Sequence, residues 1–193
     1  MAAGEDLFRV QATTGAFVGP IPEAQQIDSV SLDPSGSLLY SGGQGSSGET
    51  IVTEYNASTG SVLQTAAIPA AVAGAEVAAT DAGVWTSYRS GMAGQAELLA
   101  RSTLHYAEPP QQITSEGPFT TYNEMGGVGI SVSEGVLWVT SASSLTCADP
   151  TTSAVRATDT VDSSWGFVSA NHALFGSSAS GLSIISPPAA CFG

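Results

Sequence analysis

The sequence contains no lysine, and its only cations of fixed charge are Arg9, Arg89, Arg101 and Arg156. Against 17 acidic residues this leaves a formal net charge of −13. Nucleic-acid binding needs clustered cations that displace counterions, so that class of function is excluded. The same charge is repelled by anionic membrane surfaces. Long apolar runs are missing too: none approaches the roughly 18 residues of a membrane-spanning helix. The opening Met-Ala-Ala-Gly-Glu-Asp has neither the basic nor the apolar segment of a signal peptide. The chain therefore reads as cytoplasmic or as a piece of a longer secreted precursor.

Cysteine is scarce. Cys147 and Cys191 stand 44 positions apart, which matches no zinc spacing, and only His105 and His172 are there to assist them. Two readings stay open, a disulfide and a pair of buried thiols. A disulfide closing so long a loop would contribute about 4 kcal/mol and would imply an oxidising compartment. GxSxG, HExxH, P-loop and EF-hand motifs are all absent. Gly126-Gly127-Val128-Gly129 opens a β run rather than a helix and reads as close packing.

What the sequence does have is apolar material and turns. Hydrophobic residues make up 42% and charged residues 11%, which suits a packed core and not a disordered chain. The 22 glycines and 10 prolines are dispersed among short apolar runs, as in a fold with many tight turns.

These turns repeat. Gln11-Ala-Thr-Thr-Gly15, Asn56-Ala-Ser-Thr-Gly60 and Asp149-Pro-Thr-Thr-Ser153 each follow a strand-like run and precede another. The first two copies lie 45 residues apart and the second and third 93, which is two further units. The missing copy falls near Arg101-Ser102-Thr103 in degenerate form. The leading Asn, Asp or Gln bonds backbone two residues on, and the closing Gly takes the positive φ of a hairpin loop. A second turn alternates with it: Pro34-Ser35-Gly36, Asp81-Ala82-Gly83, Ser133-Glu134-Gly135 and Ala170-Asn171-His172, each ahead of an apolar run. Short strands rich in small residues precede these turns, at 28–32, 76–79, 128–132 and 165–168. The Ala-rich stretch 64–77 is broken by Pro69 and Gly74 and reads as a loop entering a strand, with room for one helical turn.

One unit is thus four antiparallel strands in about 40–50 residues, the signature of a propeller blade. The expected fold is an all-β propeller of four to five four-stranded blades, three whole and two partial, in a single domain. Approximate units are 1–23, 24–66, 67–108, 109–158 and 159–193.

The Asn56–Gly60 turn and the Asp33-Pro34-Ser35-Gly36 turn resemble those recurring in bacterial propellers of the lactonase and quinoprotein amine dehydrogenase β-chain-like superfamily. The resemblance implies a ring of about seven blades, hence roughly 300 residues at this repeat length. This chain then reads as a C-terminal portion. The alternatives are a small closed ring and an open array that self-associates through its exposed blade face. Cys147 takes a polar slot shared with Arg9 and Glu54. A bridge to Cys191 would staple the tail to the neighbouring blade.

Candidate site residues follow from the blade plan. Asp28, Glu76, Glu124 and Asp162 fall at the starts of inner strands, which converge on one mouth of a propeller channel. Converging carboxylates supply the oxygen ligands that Ca²⁺ takes, as in propeller hydrolases of the senescence-marker and gluconolactonase type. The plainer reading is solvated loop acids, and no cofactor is expected. Trp85, Trp138 and Trp165 fall in strands, where large rings pack between blades. Trp165, beside Gly166, is the one expected at a ligand pocket. Tyr122 joins it on the long loop-like stretch before Val128.

The function expected from these residues is that of a non-enzymatic binding or scaffold propeller, extracellular or envelope-associated. Its loops and channel mouth would meet a protein, glycan or small ligand. The rival is a metal-dependent lactonase, gluconolactonase or lyase-like enzyme.

Overall fold

The structure, a computed structural model, describes residues 2–3, 6–11, 13–21, 26–90, 93–100, 104, 112–115, 129–140, 144–160, 166–170, 173–178 and 181–192. Regular structure among the described residues is β throughout, apart from one 3₁₀ turn at Ala189–Phe192.

Among the described residues the strands form four antiparallel ladders, and the second, of seven strands, divides at its long central strand into two units, which makes five consecutive sheets. β1 (Ala2–Ala3), β2 (Asp6–Val10) and β3 (Phe17–Ile21) make the first. β4 (Gln26–Leu32), β5 (Leu38–Gln44), β6 (Glu49–Asn56) and the front of β7 (Val62–Ala79) make the second. The end of β7, with β8 (Gly83–Ser90), β9 (Ala93–Ala100) and β10 (Gln112–Ser115), makes the third. β11 (Gly129–Ser133), β12 (Val136–Thr140), β13 (Ser144–Ala148) and β14 (Val155–Thr160) make the fourth. The fifth has β15 (Gly166–Ala170), β16 (Ala173–Ser178) and β17 (Gly181–Ile185).

One expectation is corrected. The stretch 64–77 is neither loop nor helical turn, because β7 runs unbroken for 18 residues from the outer edge of one sheet to the inner edge of the next. Pro69 is tolerated because the ladder to β6 jumps from Ile68 to Val72, so no bond is asked of its missing N–H. Ahead of β2, Ala2 and Ala3 pair with Leu7 and Asp6.

The repeated pentapeptide closes the same hairpin three times. Gly15, Gly60 and Ser153 have φ of 70°, 76° and 58°. Their N–H groups donate to the carbonyls of Gln11, Asn56 and Asp149 at 2.8, 2.8 and 3.0 Å. The carboxamide oxygen of Asn56 accepts from Ser58 N and Thr59 N, and that of the Asp149 carboxylate from Thr151 N and Thr152 N, all at 2.9 to 3.0 Å. Farther along the same strands, the hydroxyls of Thr53 and Thr65 and those of Thr146 and Thr158 sit 3.3 Å apart.

Among the described residues the core lies between sheets, in four clusters. Each sheet has a forward face toward the next sheet in the chain and a back face toward the previous one. Tyr40, Val52 and Ile68 of the second sheet meet Val77, Val84 and Leu99 of the third. Trp85 and Leu98 of the third meet Ile130, Leu137 and Ala148 of the fourth. Trp138, Leu145 and Cys147 of the fourth meet Leu174 and Cys191. Leu7 and Ile21 meet Ile27 and Tyr55. Tyr40, Trp85 and Trp138 hold one register position, each the third residue of its sheet's second strand counted from the turn pair. Face-to-face burial of large rings is what holds the array together.

Cys147 and Cys191 form a disulfide, with Cα atoms 5.7 Å apart. The tail is held twice more. Arg156 Nη1 donates to the Cys191 carbonyl at 2.9 Å, and the Phe192 ring meets Trp138 edge-on at 5.9 Å.

Candidate functional site

Two ends of the array carry charged groups. At the first, the inner strands β4, β7 and β11 lie side by side, and side chains of one cap the backbone of the next. Val77 N donates to Ser29 Oγ at 2.8 Å and Ala79 N to Ser31 Oγ at 2.9 Å. One sheet later Ile130 N donates to Glu76 Oε2 at 2.9 Å. Counting back from the closing turns, Glu76 holds the position of Ser29 and Ile130 that of Val77. Glu76 therefore does the work of a serine hydroxyl, with a charge added.

Asp28 sits one residue before Ser29 in a β-bulge. Ile27 pairs with Gly43 and Ser29 with Gly42, which puts Asp28 at the bulge, where it is exposed. Burial raises the Glu76 carboxyl above its usual range. The Ile130 N–H works against this shift, and the negative charge of Asp28 adds to it. The structure thus brings two of the four expected carboxylates within electrostatic reach of each other. Glu124, Asp162, Tyr122 and Trp165 lie outside the described residues, as do His105 and His172. Among the described residues no three His, Cys, Asp or Glu side chains are grouped to hold a metal. Trp85 and Trp138 are buried between sheets, as expected of core rings.

At the opposite end lies a cleft of about 570 Å³ spanning three sheets. Its apolar lining is Leu32, Ala79 and Val132, and its rim carries Asp81, Glu134 and Asp149. The rim is built from tight turns. Glu134 and Gly135 have φ of 51° and 70°, the paired positive values of a two-residue hairpin loop. Thr80 fixes the neighbouring turn, accepting at Oγ1 from Ala82 N and Gly83 N at 3.2 and 3.1 Å. Asp149 is spent on its own turn and on Arg156, whose Nη2 lies 3.0 Å from Oδ2. The Thr151 and Thr152 N–H groups, with help from Arg156, hold its carboxyl below the usual range. The buried Asp33 is likewise spent, accepting from Ser37 N, Leu38 N and the Ser35 hydroxyl. Asp81 and Glu134 are exposed. The cleft therefore combines an apolar floor with a rim of exposed acidic residues on tight turns, which suits a cationic or donor-rich group.

Sequence reasoning read Asp81 and Glu134 only as turn residues. Their grouping depends on turns from different units meeting at one end, and no local pattern reports that.

No protein-family model matches the chain, and no curated protein matches it. Solved structures do match. The chain is similar to hydrazine synthase of Kuenenia stuttgartiensis, with a TM-score of 0.67, 8% identity, and coverage of 95% of this chain and 65% of that one. It is similar to BamB from Moraxella catarrhalis, with a TM-score of 0.57, 17% identity, and coverage of 89% and 50%. Against Hsv2 of Kluyvelomyces marxianus the TM-score is 0.52, with 10% identity and coverage of 79% and 42%. The fold is a β-propeller. Each sheet is a blade, and the chain spans less than two thirds of each of these propeller chains. At such identities the likeness carries the fold alone.

Proposed function

We propose that this propeller is a non-enzymatic interaction module whose acidic cleft receives a cationic segment of a protein partner. The observation that carries the reading is the cleft of about 570 Å³ with Asp81 and Glu134 on its rim. Rigid turns presenting charge around an apolar floor fix orientation at little entropic cost. The net charge of −13 steers cationic partners toward this surface. Glycans and small ligands rich in donors are the other classes the cleft would take. The turns at Asp33–Gly36 and Asn56–Gly60 support a place among the lactonase and quinoprotein amine dehydrogenase β-chain-like propellers. The disulfide supports an extracellular or envelope setting. Among the described residues no helix is long and apolar enough to cross a membrane.

The test is fluorescence anisotropy with a labelled Lys/Arg-rich peptide and its Glu-substituted counterpart. The basic peptide should bind, weaken as salt rises, and lose about tenfold in affinity to a D81N/E134Q variant, the size of one or two screened charge contacts. Equal binding to that variant, or no preference for the basic peptide, would overturn the reading.

Glu76 and Asp28 favour a second reading, a metal-dependent lactonase, gluconolactonase or lyase-like activity with Ca²⁺ held at that mouth. A bound ion stabilises the fold by mass action. A rise in Tm with millimolar Ca²⁺ that D28N/E76Q abolishes would support this reading, and an unchanged Tm would dismiss it.

A further inference from the structure

The cleft is built from one position repeated in three blades. Leu32, Ala79 and Val132 each stand just before the turn that closes an inner strand, and they pair with Leu39, Val84 and Leu137 at equivalent points of the second, third and fourth blades. The floor is therefore an arc of aliphatic side chains, one from each blade. The first loop residues of the same three turns, Pro34, Asp81 and Glu134, stand on the rim. Asp81 and Glu134 thus correspond, and the stacking of blades carries one into the other by rotation.

This arrangement discriminates between cations. Acidic groups carried on separate blades approach a shared ligand from different directions rather than side by side. An ammonium suits such a set, because its three N–H donors diverge from one compact charge. A guanidinium instead presents a planar fork that matches the two oxygens of a single carboxylate. The third acid of the rim already has a guanidinium of its own, since Arg156 Nη2 lies 3.0 Å from Asp149 Oδ2. The floor selects in the same direction. Leu32, Ala79 and Val132 offer methyl and methylene surface, along which an alkyl stem lies while its charged head stays at the wet rim. The chain holds no lysine that could fill the site from within.

Resting on the cationic-partner reading of the cleft, we infer that the site is selective for lysine. A partner protein inserts a lysine side chain, with its alkyl stem along Leu32, Ala79 and Val132 and its ammonium between Asp81 and Glu134. Charge complementarity favours this occupant, since a chain of net charge −13 draws cations toward it. A cleft of about 570 Å³ is of the size that holds a drug-sized ligand, so the residues flanking the lysine in an extended segment enter with it.

The experiment is an NMR chemical-shift titration of the isotopically labelled, intact oxidised chain. The probes are Nα-acetyl-lysine amide and its arginine and ornithine counterparts, each with one cation and no other charge. Lysine amide should move the backbone amides of Asp81, Ala82, Glu134 and Gly135. It should bind about fivefold tighter than arginine amide, whose fork and stiffer stem do not match the site. Ornithine amide, one methylene shorter, should bind about threefold more weakly than lysine amide, close to the worth of one CH₂ laid on apolar surface. Leu32 is 54% exposed, so L32N should fold as wild type by circular dichroism. It should bring lysine amide down toward the ornithine value. Arginine or ornithine amide binding as tightly as lysine amide would overturn the selectivity, as would an L32N variant with wild-type affinity for lysine amide. Each of these results leaves the cationic-partner reading standing. Failure of all three amides to move the four signals would overturn both.

Discussion

The indole N–H of Trp85 donates to the carbonyl of Pro150 at 2.8 Å, tying the third blade to a turn of the fourth. Trp138 holds the same position one blade later, yet its Nε1 is buried without a partner. The cause lies in the tail. After β17 the chain folds into the 3₁₀ turn at Ala189–Phe192 rather than a further hairpin, and Phe192 takes the space beside the Trp138 ring. Replacing each Trp by Phe removes similar bulk, but only W85F breaks a hydrogen bond, and W138F relieves a buried orphan donor. W85F should therefore be the more destabilising by about 1–2 kcal/mol, read from urea midpoints at equal m. Equal losses would show that the Pro150 bond contributes nothing net.

Glu76 gives the fold a pH dependence of definite sign. Its carboxyl is raised in the folded protein, so the native state binds more protons than the unfolded chain over the window above the ordinary value of 4.5. Stability from this group is complete below that value and is lost as pH rises through the raised one. E76Q keeps an oxygen for Ile130 N and carries no charge. It should match or exceed wild type in Tm at pH 7, with the difference vanishing below about pH 4.5. D28N should narrow the window by removing a like charge. Parallel pH profiles for wild type and E76Q would refute this account.

The disulfide closes a loop between positions 44 apart, and constraint of the unfolded chain over that length is worth about 4 kcal/mol. C147S/C191S should lose stability on that order. Reduction should also free Phe192 from the Trp138 ring, observed as a change in tryptophan emission and as cleavage of the tail by carboxypeptidase. An unchanged denaturation midpoint after reduction would show that the Arg156 contact and the Phe192 packing hold the tail without it.

Much of this was readable in the residues. The pentapeptide turns announced themselves because each needs an Asx-type acceptor and a residue tolerant of positive φ, and these are local demands. The Cys147 slot was legible from its alignment with Arg9 and Glu54, although the choice between bridge and thiols depends on where the fold brings Cys191. The extended course of β7 was hidden because Pro69 and the alanines oppose regular strand on local propensity. Pairing on either side of a skipped ladder position overrides that preference. The cleft was out of reach, since Asp81 and Glu134 meet only when successive blades stack. The pairing of Glu76 with Ile130 was equally hidden, because a carboxylate standing where another blade has Ser29 carries no sequence pattern.

Asp149 and Asn56 perform one task with different chemistry, which makes a comparison possible. Both accept two backbone N–H groups, from Thr151 and Thr152 or from Ser58 and Thr59. D149A deletes the oxygen that accepts both bonds and should cost about 1–2 kcal/mol, as should N56A. D149N restores the acceptor in the form the second blade already uses and should recover most of the loss, since the half-exposed pair with Arg156 adds little. The two variants also differ from wild type in acid. The Asp149 carboxyl is depressed in the fold, so its stabilisation is present above the ordinary value of 3.8 and is lost as pH falls through the folded value. D149N should therefore be flat where wild type declines. A D149N as damaging as D149A at pH 7 would mean that the ion pair, and not the turn, is what the carboxylate supplies.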